Sequence, residues 1–160
     1  MHWKKMTNPQ FLGAWDFEPG EEKAVVIDHV EQRELVNQDG RTETRPVVVF
    51  SSDSVKPLVL NVSNARTIEK LYSSPDVDTW HGKAVILRAQ KVRAFGEVVE
   101  AVRVKRETPI LCETCGAVIR PFKGYTVAEL VQRSRNKYGK TLCTSCAARE
   151  GGKKPPEGSE

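Results

Sequence analysis

The sequence has no apolar run approaching the roughly 20 residues of a membrane-spanning helix. Its first residues, Met1-His2-Trp3-Lys4-Lys5-Met6-Thr7, are basic, but no apolar segment follows them, so a signal peptide is not expected and a cytoplasmic protein is. It also lacks the residue patterns of an enzyme. There is no glycine-rich phosphate loop, and no Ser/His/Asp order stands out. Asp76 and Asp78 read as a loop before Trp80, and His29 and His81 as structural or solvated residues. Cysteine is scarce too: there are four in 160 residues, and all lie between positions 112 and 146.

Charge is unevenly placed. Residues 1–104 carry 14 Lys and Arg against 15 Asp and Glu, whereas residues 105–160 carry 11 against 6. The net charge of +4 is too small to argue for a nucleic-acid partner on its own, so local placement has to carry that case.

The four cysteines form two matched pairs, Cys112-Glu113-Thr114-Cys115 and Cys143-Thr144-Ser145-Cys146. Two intervening residues let a tight turn aim both sulfurs at one point, and two such turns supply the four thiolates of a tetrahedral zinc. Gly116 suits a knuckle that needs a left-handed residue after the first pair. With every ligand supplied by protein, no position is left for water, so the expected Zn²⁺ is structural. Two disulfides or a redox pair fit less well, and an iron–sulfur cluster uses the same four ligands.

Along the chain, residues 1–22 read as an irregular arm laying Trp3, Phe11, Trp15 and Phe17 on the main domain. Strand-like segments begin at Ala24, Pro46 and Leu58, with a turn at Asp39-Gly40. A helix capped by Ser63 or Asn64 follows, with Ala65, Ile68, Leu71 and Tyr72 on one face. Two further strands run from Lys83 and from Val98, with a turn near Phe95-Gly96. The expectation is a mainly β fold: a five-stranded OB-like Greek-key barrel with a helix between strands 3 and 4. Other small barrels and α+β sheets share this order. The arm and barrel would occupy residues 1–106. A small α+β zinc module, treble-clef-like or ribbon-like, would occupy 107–150, and a disordered tail 151–160. In the module, Thr126 and Glu129 form a capping box and Gly139 ends the helix.

OB barrels bind single strands with basic groups along a groove and rings that stack on bases. One candidate patch is the last hairpin, with Arg88, Lys91, Arg93, Phe95, Arg103 and Lys105, and Lys83 nearby. The other is Arg133, Arg135 and Lys137 on the module helix. A solvated strand face and a ring folded back on the barrel are the alternatives.

Two stretches carry a resemblance. Residues 2–106, with Lys56-Pro57-Leu58-Val59-Leu60-Asn61, Trp80-His81-Gly82-Lys83 and Ala94-Phe95-Gly96, resemble a family of small bacteriophage proteins encoded among replication and recombination genes. Residues 112–147, with Lys137-Tyr138-Gly139-Lys140 leading into Cys143, look like a zinc module appended to phage single-strand annealing proteins. The resemblance implies a single-stranded-DNA-binding protein in the host cytoplasm. Its expected partners are single-stranded DNA and a phage recombinase, annealing protein or helicase, with oligomers allowed. A protein-interaction adaptor or host-defence inhibitor is the rival expectation, and a metal-dependent nuclease a remote third.

Overall fold

The computed structural model describes residues 3–6, 10–37 and 39–152. The chain divides into two compact units, Met1–Thr108 and Pro109–Glu160. No described helix is long and apolar enough to cross a membrane.

The first unit is built on β1 (Glu22–Val36), β2 (Thr42–Phe50), β3 (Leu58–Val59), β4 (Ala84–Ala94) and β5 (Glu97–Val104). They form one antiparallel sheet in the order β3-β2-β1-β4-β5. The β-branched run that opens β1 gives it length enough for two ladders. Residues 22–26 pair with β4 and residues 27–36 with β2. An irregularity between Ile27 and His29 shifts the register, so that Val25, Ile27 and then Val30 all reach the core. At the far end of the β4–β5 hairpin, Phe95 (φ 53°) and Gly96 (φ 78°) make a two-residue turn of positive φ.

Core residues come from every strand, including Leu58 and Leu60 near one edge and Val102 and Val104 at the other. Trp80 is buried among them, and its indole N–H donates to the Ser74 carbonyl at 3.0 Å. Asp76 caps the 3-10 turn Val77–Trp80 through the backbone N–H of Asp78.

The helix α2 (Val62–Tyr72) lies between β3 and β4 in sequence, as expected, with Ile68 buried and Ala65, Leu71 and Tyr72 packed against the core. Its cap differs from the expectation. Asn61 is the N-cap and accepts from the Asn64 N–H at 2.8 Å. Asn64 is instead turned inward, almost fully buried. Its Nδ2 donates to the Val102 carbonyl at 3.0 Å, and its Oδ1 accepts from the Val104 N–H at 3.0 Å.

The mainly β architecture is present, but among the described residues the sheet is open: no ladder joins β3 to β5. β3 is only two residues long, and Asn64 occupies backbone groups on the outer edge of β5. A cavity of about 210 Å³ lies between these edges, lined by Leu12–Trp15, Leu58, Val59 and residues 100–102.

The arm is more ordered than an irregular segment. A short helix, α1 (Trp3–Met6), and a 3-10 turn at Ala14–Asp16 interrupt it. Phe17 and Leu12 join the core, Phe11 and Trp15 are half-buried, and Trp3 is exposed. Lys56 pairs with Asp16 at 3.1 Å, which ties the arm to the loop before β3. Asn8-Pro9 lies outside the described residues.

The second unit contains α3 (Val127–Tyr138) and α4 (Thr144–Gly152), with isolated bridges at Leu111–Val118 and Phe122–Tyr125. The Thr126/Glu129 capping box and the left-handed Gly139 at the C-cap of α3 form as expected. α4 continues through Gly152, two residues into the segment expected to be a disordered tail; residues 153–160 lie outside the described residues.

Candidate functional site

The two cysteine turns converge. The four Sγ atoms all lie within 4.8 Å of one another, with those of Cys115 and Cys143 3.7 Å apart. A tetrahedral ion with bonds of about 2.3 Å would hold its sulfurs about 3.8 Å apart. All four cysteines are free. The cluster can therefore hold one metal ion.

Local structure explains the convergence. The Gly116 N–H donates to the Cys112 carbonyl at 2.9 Å, with Gly116 at φ 71° closing the first knuckle. Cys143 immediately precedes α4, and the Cys146 N–H points at its sulfur, 3.5 Å away. Cys112 and Cys146 are buried, Cys143 is half-buried and Cys115 exposed. The knuckles are stitched together by Glu113 and Thr141. The Glu113 N–H donates to the Thr141 carbonyl at 2.8 Å, and the Thr141 N–H donates back to the Glu113 carboxylate. Ser134 on α3 adds two bonds, donating to the Lys140 carbonyl at 2.7 Å and accepting from the Leu142 N–H at 2.9 Å.

Without a cation Cys112 and Cys146 are shifted in opposite directions. Burial opposes ionisation of Cys112, but N–H groups of Cys115, Cys143 and Thr114 outweigh it and bring its pKa down to about 6. Cys146 is pushed up to about 12 by its contacts with the sulfurs of Cys115 and Cys143, and then by burial. A divalent cation removes this competition, because it favours the thiolate at every ligand.

The predicted basic hairpin divides between two faces. Side chains alternate along a strand, and the β4–β5 register is unbroken from Leu87–Val104 to Ala94–Glu97. Lys91 and Arg93 therefore continue the face of Val85, Leu87 and Ala89, with Lys91 opposite Glu100. Arg88 and Arg103 oppose each other on the other face. There they line a groove of about 860 Å³ with Arg66 and Lys70 of α2 and with Lys105 and Arg106. Glu107 is the one acid among the described lining residues, and Glu22 stands beside the groove as the β1 partner of Arg88. Lys105 is engaged with Glu22 and Glu107, each at 3.1 Å, which raises its pKa, Glu107 contributing most. Arg88 reaches Gln90 at 3.4 Å, while its Nε is buried without a hydrogen-bond partner. Arg66, Lys70 and Arg106 were not among the sequence candidates. Three basic residues at helical and linker positions look like an ordinary solvated face until α2 is laid beside β5.

Phe95 stands at the hairpin tip, fully exposed. Lys83 lies over the Tyr72 ring at 5.5 Å. On α3, Arg133 and Lys137 are one turn apart and share a side, with Arg133 4.4 Å over the Tyr125 ring and Lys137 5.3 Å over Tyr138. Arg135 donates from Nε to the Thr141 hydroxyl at 3.0 Å, a structural contact beside the metal cluster.

No protein-family model, curated protein or solved structure matches the chain.

Proposed function

We propose that this chain is a non-enzymatic, largely sequence-independent single-stranded DNA-binding protein of phage replication or recombination. The single observation that carries the reading is the groove between α2 and the β4–β5 hairpin. Arg88 stands between Arg103 on β5 and Glu22 on β1, and Glu22 also pairs with Lys105, so one carboxylate is set among three cations on this face. A phosphate in the groove adds negative charge where cations outnumber carboxylates and accepts from the guanidinium groups that line it. Arg66, Lys70 and Arg106 extend the same cationic wall. Phe95, held out at the tip, offers a ring to an unpaired base.

In this reading the first unit is an OB-like barrel whose seam is filled by the arm and by Asn64 rather than by a β3–β5 ladder. The second is a treble-clef-like module around a structural Zn²⁺ held by Cys112, Cys115, Cys143 and Cys146. The closed four-thiolate set leaves no open coordination position, which favours a structural role. The module would add backbone contacts or dock a recombinase, annealing protein or helicase in the host cytoplasm. The test is fluorescence anisotropy with labelled oligo-dT across a salt series. About four phosphate contacts in the groove would give a log–log salt slope near −3. Absence of binding at low salt would end this reading.

Exposed Val98 and Val99 beside Phe95 favour a second reading, a protein-interaction adaptor or host-defence inhibitor. A stable protein partner recovered after nuclease treatment, from a chain that ignores oligo-dT, would select it.

A further inference from the structure

We infer that the Phe122–Tyr125 turn of the second unit is a base-stacking surface for single-stranded nucleic acid, flanked by Lys123 and Arg133. It rests on the single-strand reading and adds a contact surface distinct from the groove and from Phe95.

Phe122 and Tyr125 are paired in an antiparallel bridge, with backbone N–H to carbonyl distances of 3.2 and 3.0 Å. Directly opposed residues in such a pair project to the same face. The turn between them, Lys123 (φ 48°) and Gly124 (φ 81°), has positive φ at both positions, the geometry that lets two residues reverse the chain. Both rings stay in water: Phe122 is 47% and Tyr125 41% exposed. Neither belongs to the cluster that packs around Cys112, Leu142 and Cys146.

Each ring carries a cation. Lys123 Nζ lies 5.4 Å over Phe122, and the Arg133 guanidinium lies 4.4 Å over Tyr125. Arg133 comes from α3, so the folded unit brings it to the turn. The nearby carboxylate of Glu129 is engaged by the Thr126 cap, accepting from both its N–H and its hydroxyl. Two exposed rings on one face, each with a cation over it, complement a polymer of alternating π-faces and phosphates. A stretched apolar peptide would gain nothing from the charges. A duplex hides its base faces.

The test uses the intact, metal-loaded chain and an oligo-dT substituted with 5-bromodeoxyuridine. Photocrosslinking followed by peptide mapping is expected to place an adduct on Phe122 or Tyr125, a readout that needs no variant. The double replacement F122A/Y125A should weaken oligo-dT binding at least tenfold. It should change binding of an abasic oligomer of equal length less than twofold, with metal content unaltered. Wild-type binding with adducts confined to the first unit, or unchanged affinity of the double variant, would overturn the inference and leave the groove reading standing. Failure of the wild type to bind oligo-dT would remove both. If the variant loses a co-purifying protein but no DNA affinity, the turn is a protein-docking surface and the inference falls.

Discussion

The side-chain amide of Asn64 reaches from α2 to the backbone of Val102, donating from Nδ2 to its carbonyl at 3.0 Å. Its Oδ1 accepts from Val104 at 3.0 Å, so one side chain satisfies two backbone groups on β5. This contact closes a sheet edge, anchors the helix, and fixes the wall from which Arg66 and Lys70 face Arg88 and Arg103.

The first prediction follows from it. Asn64→Ala leaves a buried carbonyl and a buried N–H without partners, at about 1–3 kcal/mol each. Asn64→Asp keeps the acceptor for Val104 but buries an unpaired carboxylate against the Val102 carbonyl, so at neutral pH it should be no more stable than Asn64→Ala. Urea unfolding followed by tryptophan fluorescence measures the order, since Trp3, Trp15 and Trp80 all belong to the first unit.

Phe95 should separate stability from binding. It holds φ 53° at a fully exposed site. Phe95→Gly relieves that conformation and should stabilise the first unit by up to about 1 kcal/mol. The same change should weaken oligo-dT binding several-fold. Thermal melting and anisotropy on one variant would read both. A variant that is neither more stable nor a weaker binder contradicts the assignment.

Metal removal should unfold the second unit and spare the first. The small cluster around Cys112, Leu142 and Cys146 has few other apolar partners. Chelation is expected to abolish the helical signal of α3 and α4, while the tryptophan emission, which comes entirely from the first unit, persists. Elemental analysis should find one ion per chain, and Cys115→Ser should lower that occupancy.

Glu113 should matter for the metal although it need not touch it. Its carboxylate accepts from Thr141, two residues before Cys143. Glu113→Ala should weaken metal affinity about 10- to 100-fold. Glu113→Gln keeps an acceptor oxygen and should lie much closer to wild type. Competition with a chromophoric chelator distinguishes them.

A pH-dependent contact sits on β1. His29 bonds Asp28 at 2.6 Å and Glu31 at 3.2 Å, and these two contacts raise its pKa above 6.5, Asp28 contributing most. Glu31 is lowered below 4.5, chiefly by Arg33 and then by His29. The His29 contribution is full below pH 6.5 and is lost as pH rises through its folded pKa. The Glu31 contribution is full above pH 4.5 and is lost as pH falls through its own. Both act together between these limits. An NMR titration should show His29 titrating above 6.5, and Glu31→Gln should bring it back towards the ordinary value.

The residues that sequence reading missed share a physical cause. Asn61, Ser63 and Asn64 all offer cap chemistry, and only the position of β5 makes Asn64 more useful turned inward. Arg88, Lys91, Arg93 and Arg103 look like one patch when counted along the chain. Strand alternation and register send them to two faces. Phe122-Lys123-Gly124-Tyr125 carries a visible turn signal in Lys-Gly, but its pairing with Arg133 depends on where α3 packs.

What the sequence determined by itself is the local chemistry: the paired cysteines, the Thr126/Glu129 box, the Gly139 stop, and the order of strands around α2. These depend on residues a few positions apart, where spacing alone sets geometry. Tertiary structure decided whether the sheet closes, which cations share a groove, and which rings stay in water. Those outcomes depend on contacts between residues tens of positions apart, such as Asn64 with Val102, and no local pattern records them.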